Sequence, residues 1–204
     1  MNIVWGRGQL DYILEDMGIS LDKELILSIP MFILCGGVMT KGSTARRLIN
    51  IAASLTEHLP GGLAVACVLS CGVFAAISGS SIVTMLAIGT IMYPALMARG
   101  YSQSFSIGAI ASAGTLGIII PPSIPLILYG IMTEENIAHL FVAGIGPGLL
   151  LMTLFAVYSF WVNRHIERTP FSMATAAQAT YGGIFAILLP FIMIGGIYTG
   201  WFSP

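Results

Sequence analysis

Long stretches without charged residues constrain the fold of this chain more than any other feature. No Asp, Glu, Lys or Arg occurs within residues 58–98, 100–133, 136–163 or 169–204. A transmembrane helix needs about 20 consecutive, mostly apolar residues. Each stretch is long enough for a crossing, and residues 58–98 are long enough for two crossings or one deep hairpin. We therefore predict an all-α polytopic membrane protein, with the lipid bilayer as its first partner.

Composition excludes the other common classes of protein. Only 8% of the 204 residues are charged, against about 25% in a typical soluble domain. This excludes a soluble enzyme, a disulfide-rich secreted domain and a disordered chain. The net charge of −1 gives no basis for binding nucleic acid. No phosphate-binding glycine loop follows a strand, and so no cofactor is expected.

The distribution of charge predicts the topology. Loops rich in Lys and Arg stay in the cytoplasm. One assignment of the loops places six of the eight basic residues inside and seven of the nine acidic residues outside. The basic residues that it places inside are Lys41, Arg46, Arg47, Arg99, Arg164 and Arg168.

Residues 44–59 form an amphipathic pattern at the predicted cytoplasmic side. Leu48, Ala52, Leu55 and Leu59 recur at helical spacing, with basic and polar residues between them. A helix of this kind either lies along the membrane surface or packs as a connector against the underside of the protein. Both interpretations place it at the inner interface.

Four small residues, Ser-Gly-Ser-Ser at 78–81, interrupt the middle of the charge-free stretch 58–98. This segment, the hairpin tip, is either a polar turn exposed between two full spans or the end of a re-entrant hairpin at mid-membrane. Each arm has about 17 residues, which is short for a crossing at about 1.5 Å per residue. No polar or aromatic belt marks an exit to water, and so we favour the hairpin.

A second interruption lies in the apolar stretch 104–131, where Pro121, Pro122 and Pro125 occur close together. Successive prolines remove backbone donors and force the preceding residue out of the α region. We predict an unwound segment rather than a simple kink, and call residues 117–122 the helix break. Ser123 is predicted to cap the helix that restarts after it.

The two interruptions suggest an ion-coupled transporter. Freed carbonyls can coordinate a hard cation, and the N-termini of half-helices can face an anionic substrate. Neither segment contains a charged side chain. Any ion must then be held by backbone and hydroxyl oxygens, which favours Na⁺ over a carboxylate proton relay.

Five motifs resemble the large membrane subunit of the tripartite ATP-independent periplasmic (TRAP) transporters. They are IPMFILCGGVMTKG (29–42), FAAISGSS (74–81), IGTIMYPALMARGY (88–101), SAGTLGIIIPPSIPLILYG (112–130) and LFVAGIGPGLLL (140–151), and GGIYTGWFSP (195–204) also matches. The resemblance implies an elevator-type transporter of the bacterial inner membrane and not an enzyme. Its expected partners are a small membrane subunit, a periplasmic substrate-binding protein and a small organic anion that carries a carboxylate, such as a C4-dicarboxylate, a keto acid or a sugar acid.

The resemblance also implies that the hairpin tip and the helix break build one sodium site. The implied ligands are oxygens of Ser78, Ser80, Gly117, Ile120 and Pro122. Weaker candidates, which would face the substrate, are Ser81, Thr115 and Ser123.

Family members continue beyond GGIYTGWFSP into a second inverted repeat, and so we expect roughly the N-terminal half of a subunit. The predicted segments are a periplasmic N-terminal segment (1–23), a spanning helix with the amphipathic helix (24–60), the re-entrant hairpin (61–98), the broken transmembrane helix (101–131), a periplasmic loop with a return helix (132–168), and a cytoplasmic connector with the truncated start of the second repeat (169–204).

Three alternatives stay open. One is an elevator carrier of a related family that works without a binding protein, and another is a truncated fragment, or a structural subunit, that does not transport. The third is a membrane-embedded hydrolase with Ser78 or Ser80 as nucleophile. It needs a base at membrane depth, whereas the histidines, His58, His139 and His165, occupy loop positions.

Overall fold

The computed structural model describes residues 24–166, 172–199 and 201, and within these residues every regular element is a helix. The predicted periplasmic segment 1–23 lies outside them. The α-helices are α1 (Glu24–Lys41), α2 (Thr44–Thr56), α3 (Gly62–Ser78), α4 (Ser81–Ala98), α5 (Gln103–Gly114), α6 (Ile124–Thr133), α7 (Ile137–Val162) and α8 (Met173–Tyr198). A short 3₁₀ helix, Thr115–Ile118, follows α5 directly.

Three of these helices, α4, α7 and α8, are long and apolar enough to cross a membrane. The 26 residues of α7 and of α8 correspond to about 39 Å of helix, more than the hydrocarbon core of about 30 Å. Helices α3 and α6 are apolar but shorter. The prediction of an all-α polytopic membrane protein is confirmed.

Helix α3 lies at the centre of the described structure and packs against α2, α4, α5 and α7. Almost all of its residues are buried. Its side chains meet those of α4 in one core, whose largest fully buried members are Phe74, Ile77, Ile88, Met92 and Leu96. The first arm of the hairpin is therefore shielded by protein on all sides.

The outer helices present apolar side chains away from this core. Exposed residues of α7 and α8 include Leu154, Trp161, Phe185 and Phe191. Apolar faces of this extent are typical of helices in contact with lipid or with other membrane segments.

The amphipathic helix α2 packs against α3 and α8. Leu48 and Ile51 are buried against these neighbours, whereas Arg46 and Asn50 are exposed. Its apolar face is therefore directed largely onto the protein itself, as in the connector interpretation, although Leu55 stays exposed.

The two ends of the hairpin meet at a cluster that we call the hairpin base: Glu57, Gly61, Gly62, Arg99 and Tyr101. Arg99 pairs with Glu57 at 3.2 Å. Gly61 has a φ of +67°, which favours glycine. Burial raises the pKa of the Tyr101 phenol above its usual value, and hydrogen bonding to the backbone of Ala64 and Leu63 acts in the opposite direction.

Candidate functional site

The hairpin tip turns the chain in two residues that are not helical. Helix α3 ends at Ser78 and α4 begins at Ser81. Gly79 has a φ of +61°, a conformation that glycine adopts without the steric penalty of a side chain. Since the turn is so short, the end of one helix and the start of the next lie side by side.

Hydroxyl groups fix the shape of the tip. The Ser78 and Thr84 hydroxyl oxygens lie 2.7 Å apart, and both residues are fully buried. The Ser80 N–H also donates to the Ser78 hydroxyl at 3.4 Å. A polar residue one turn into α4, Thr84, thus belongs to the site although sequence reasoning missed it. The available signal was a threonine in an otherwise apolar run just after the serines.

Ser81 differs from these residues because its hydroxyl is unsatisfied. Its Oγ is buried and has no hydrogen-bond partner among the described residues. Buried hydroxyls in native structures are nearly always paired. Ser70 has the other such hydroxyl among the described residues, whereas that of Ser81 lies at the N-terminus of α4, beside the helix break.

The predicted unwound segment is present between the 3₁₀ helix and α6. The peptide bond between Pro121 and Pro122 is cis. Because Pro121, Pro122 and Pro125 have no N–H, the carbonyls of Gly117, Ile118 and Pro121 lose the donors that a continuous α-helix would supply. Among the described residues, the carbonyls of Gly117, Ile120 and Pro122 accept no hydrogen bond.

The predicted cap at Ser123 is wrong in its chemistry. Ser123 stands at the cap position of α6, but its side chain makes no capping bond. The hydroxyl instead donates to the Ile118 carbonyl at 2.7 Å, which Pro122 leaves without a donor. By contrast, Ser102, Asn136 and Ser172 cap α5, α7 and α8 with their side chains.

The structure brings the hairpin tip and the helix break into direct contact. The first N–H of α6, at Ile124, donates to the Gly79 carbonyl at 3.2 Å. A Cβ added to Gly79 would lie 2.9 Å from the Pro122 oxygen, and one added to Gly117 would lie 2.7 Å from the Ser80 carbonyl carbon. The backbones therefore touch at two glycines, and a side chain fits at neither.

The other predicted site residues lie at different places around this contact. Thr115 is exposed, and its hydroxyl donates to the Ser112 carbonyl at 2.6 Å. The Ile120 side chain packs near Gly72 of α3 and Gly148 of α7. The roles of these residues toward an ion or a substrate stay predictions.

Helix ends supply the electrostatics of the site, because no residue of the tip or the break carries a charge. Helix α3 and the 3₁₀ helix end here, and α4 and α6 begin here. The C-terminal end of a helix favours a cation and the N-terminal end favours an anion. The same place therefore offers both kinds of end.

A polar cleft of about 560 Å³ lies elsewhere, between α2 and α8, and its lining includes Arg47, Glu57 and Gln178. None of its lining residues belongs to the tip or the break. We assign the site to the tip–break contact, because there the unsatisfied oxygens meet the helix ends.

The fold is that of a polytopic membrane protein, and comparison with known proteins identifies its family. Residues 7–204 match the family described as "Tripartite ATP-independent periplasmic transporter, DctM component". The chain belongs to this family. The predicted resemblance, the exclusion of an enzyme and the location as a multi-pass inner-membrane protein are confirmed.

Similar proteins include three permeases of different organisms. The chain is 38% identical to the ectoine TRAP transporter large permease protein TeaC of Halomonas elongata over 98% of the chain and 47% of the relative. It is 43% identical to the C4-dicarboxylate TRAP transporter large permease protein DctM of Pseudomonas aeruginosa over 88% of the chain and 43% of the relative. It is 39% identical to the isethionate TRAP transporter permease protein DctMQ of Oleidesulfovibrio alaskensis over 98% of the chain and 32% of the relative. The chain thus spans less than half of the length of these relatives.

Proposed function

We propose that this chain is part of the permease of a sodium-coupled secondary transporter that imports small organic acids. In this proposal a periplasmic binding protein delivers the substrate and a small membrane subunit completes the complex. Family membership supports the proposal, and so do the relatives named for C4-dicarboxylate and isethionate. An elevator movement, in which the hairpin and the broken helix travel together, is part of the proposal.

The observation that carries the proposal is the docking of the hairpin tip on the helix break. Two interruptions that lie about 40 residues apart along the chain share a hydrogen bond between Ile124 and Gly79 and close contacts at Gly79 and Gly117. Unwound backbone of this kind is tolerated in membranes where it is covered by protein or lines a binding cavity. Secondary transporters bind ions and substrates at such places.

The proposed sodium ligands are oxygens of five residues: Ser78, Ser80, Gly117, Ile120 and Pro122. Na⁺ is a hard cation that accepts neutral carbonyl and hydroxyl oxygens. Three of these residues have carbonyls without an internal donor, which fits the proposal. The ends of α3 and the 3₁₀ helix add a favourable field for a cation.

The proposed substrate contacts lie at the starts of α4 and α6. A carboxylate placed there would face two helix N-termini. Ser81, Thr115 and Ser123 flank this region. Of these three, Ser81 has the unpaired hydroxyl and is the strongest candidate, because the Thr115 and Ser123 hydroxyls already donate to carbonyls.

Sodium-dependent uptake in proteoliposomes tests the proposal. The vesicles hold the transporter that contains this chain, together with its partner subunit and binding protein. The Pro122→Ala change supplies an N–H that can bond to the Ile118 carbonyl and rewind the break. It should raise the sodium concentration for half-maximal uptake by about tenfold, the equivalent of about 1.4 kcal/mol. Ser80→Ala removes one hydroxyl and should have a smaller effect in the same direction.

Pro147→Ala provides the control, since Pro147 is an exposed proline inside the membrane helix α7. It should leave the sodium dependence unchanged. Uptake that does not depend on Na⁺ in the unmodified transporter would contradict sodium coupling. If Pro122→Ala and Ser80→Ala both keep the sodium dependence of the unmodified transporter, the ion binds elsewhere.

A further inference from the structure

We infer that Thr84 is a positioning residue, whose hydroxyl holds that of Ser78 and thereby fixes the hairpin tip on which the proposed sodium site depends, while the Ser81 hydroxyl is left free. The inference rests on the proposed function. It adds a residue to the site and separates Ser78, whose hydroxyl holds the shape of the tip, from Ser81, whose hydroxyl is left available.

The Ser78 hydroxyl already has hydrogen-bond partners within the hairpin. A serine hydroxyl has one donor and two acceptor positions. Around Ser78 Oγ lie Thr84 Oγ1 at 2.7 Å, the Ser80 N–H at 3.4 Å and the Ser80 carbonyl at 3.3 Å. The shortest of these contacts is the one to Thr84. The Ser78 side chain therefore acts within the tip, and the oxygen that Ser78 offers to the proposed sodium site is its carbonyl.

The hydroxyl of Thr84 has an unusual hydrogen-bond partner for a threonine inside a helix. A threonine inside a helix commonly bonds back to the carbonyl one turn earlier, as Thr133 does with Tyr129 at 2.8 Å. The Thr84 hydroxyl instead reaches Ser78 on the opposite arm. Since the residues that separate the two arms are only Gly79 and Ser80, this bond closes the turn across its mouth.

The same arrangement leaves the Ser81 hydroxyl without a hydrogen-bond partner. Its Oγ is buried and unpaired among the described residues, while its backbone N–H lies against Gly117, 2.8 Å from the position of an added Cβ. The residue with the unpaired hydroxyl is therefore also the one whose backbone lies against Gly117. If the turn opened, the Ser80–Ser81 peptide would no longer be held against Gly117 of the helix break.

The test compares two substitutions of Thr84 by a binding measurement that does not need transport. Thr84→Val keeps the shape and removes the hydroxyl, whereas Thr84→Ser keeps the hydroxyl. In the purified transporter that contains this chain, Na⁺ is titrated and the protection against thermal unfolding is recorded. Thr84→Val should raise the half-saturating Na⁺ concentration between about twofold and tenfold, the effect of one lost hydrogen bond. Thr84→Ser should restore the original value.

Two further variants and one control complete the comparison. Ser78→Ala removes the other half of the bond, and the Ser78→Ala/Thr84→Val pair should be no worse than the more affected single variant, because one bond is lost in each case. If Thr84→Val does not fold, Ser78→Ala and Thr84→Ser carry the comparison. Thr90→Val is the control, since Thr90 lies on the exposed side of the same helix and bonds to the Ala87 carbonyl.

The possible outcomes distinguish failure of this inference from failure of the proposed function. Unchanged Na⁺ titration in Thr84→Val, or additive effects of the two substitutions, overturns the inference and leaves sodium coupling intact. If Na⁺ neither protects the unmodified protein nor supports uptake, the proposed function fails, and this inference fails with it. A half-saturating Na⁺ concentration that is raised in Thr84→Val but not in Thr84→Ser supports the inference.

Discussion

The two ends of the hairpin are held by different chemistry. At the hairpin base, charged and aromatic side chains add to a close backbone approach at Gly62: Arg99 pairs with Glu57, and the Tyr101 phenol lies against the backbone of the first turn of α3. At the hairpin tip, the contacts are made by hydroxyl groups and by backbone atoms that meet at glycines. No charge takes part there.

This difference follows from the predicted surroundings. Side chains at an aqueous interface can carry charge at little cost, but an exposed ion pair contributes only about 0–1 kcal/mol. The side chains of Arg99 and Glu57 are 45% and 25% exposed. In our proposal the tip lies at membrane depth, where a charge is costly, and neutral oxygens supply both the packing and the binding. The base anchors the hairpin, whereas the tip leaves oxygens for a ligand.

The largest expected effect is at the base, from Gly62→Ala. A Cβ at Gly62 would overlap the Thr56 carbonyl, and this clash is with backbone that has no room to move. The substitution should lower the free energy of unfolding by about 3 kcal/mol. Thermal unfolding in detergent measures it. Gly108→Ala is the control, because a Cβ at Gly108 meets nothing within 4 Å. Equal stability of the two variants would contradict the close approach at the base.

A second prediction concerns depth and compares the tip with an aqueous position. Ser80→Cys should react much more slowly with a membrane-impermeant thiol reagent than Ser43→Cys, since Ser43 is an exposed residue beside α2. The physical reason is that the tip is covered by the helix break and by α3. Both variants are made in a background without Cys35, Cys67 and Cys71. If Ser80→Cys, with the reagent on the periplasmic side, reacts as fast as Ser43→Cys with the reagent on the cytoplasmic side, the result would favour two full spans with an exposed turn.

The smallest expected effect comes from Arg99→Gln. Loss of the Glu57 contact should lower the stability by no more than about 1 kcal/mol, and 1 M salt should shrink the difference between the variant and the original protein, because salt screens exposed charges. Denaturation at low and high salt measures both values. A loss of several kcal/mol that salt does not change would show that the pair is more than an exposed contact.

Much of this arrangement could be predicted from the sequence because it is local. The prolines at 121, 122 and 125 remove donors wherever the helix lies, and the break occurs there. Apolar runs of the length of α7 and α8 allow few folds other than membrane helices. The sidedness of the loops, which rests on charge alone, stays a prediction.

The bonds across the site could not be predicted, because they depend on which segments meet. Ser123 stood where a cap is expected, yet its hydroxyl serves the Ile118 carbonyl, while the N–H of Ile124 finds the Gly79 carbonyl of the hairpin. These two hydrogen-bond partners can be explained only from the fold, in which the hairpin tip lies beside α6. The partnership of Ser78 and Thr84 likewise requires the two arms to be side by side.

The central claim is that the tip–break contact is the sodium site, and direct binding of Na⁺ to a Gly117→Ala variant tests it most directly. A Cβ at Gly117 would press on the Ser80–Ser81 peptide and separate the two segments. Calorimetric titration of the purified transporter that contains this chain compares this variant with Gly108→Ala. We predict that Gly117→Ala weakens Na⁺ binding by about tenfold or more, corresponding to about 1.4 kcal/mol, while Gly108→Ala binds as the original protein does. Equal Na⁺ affinity of a folded Gly117→Ala variant and the original protein would contradict the account.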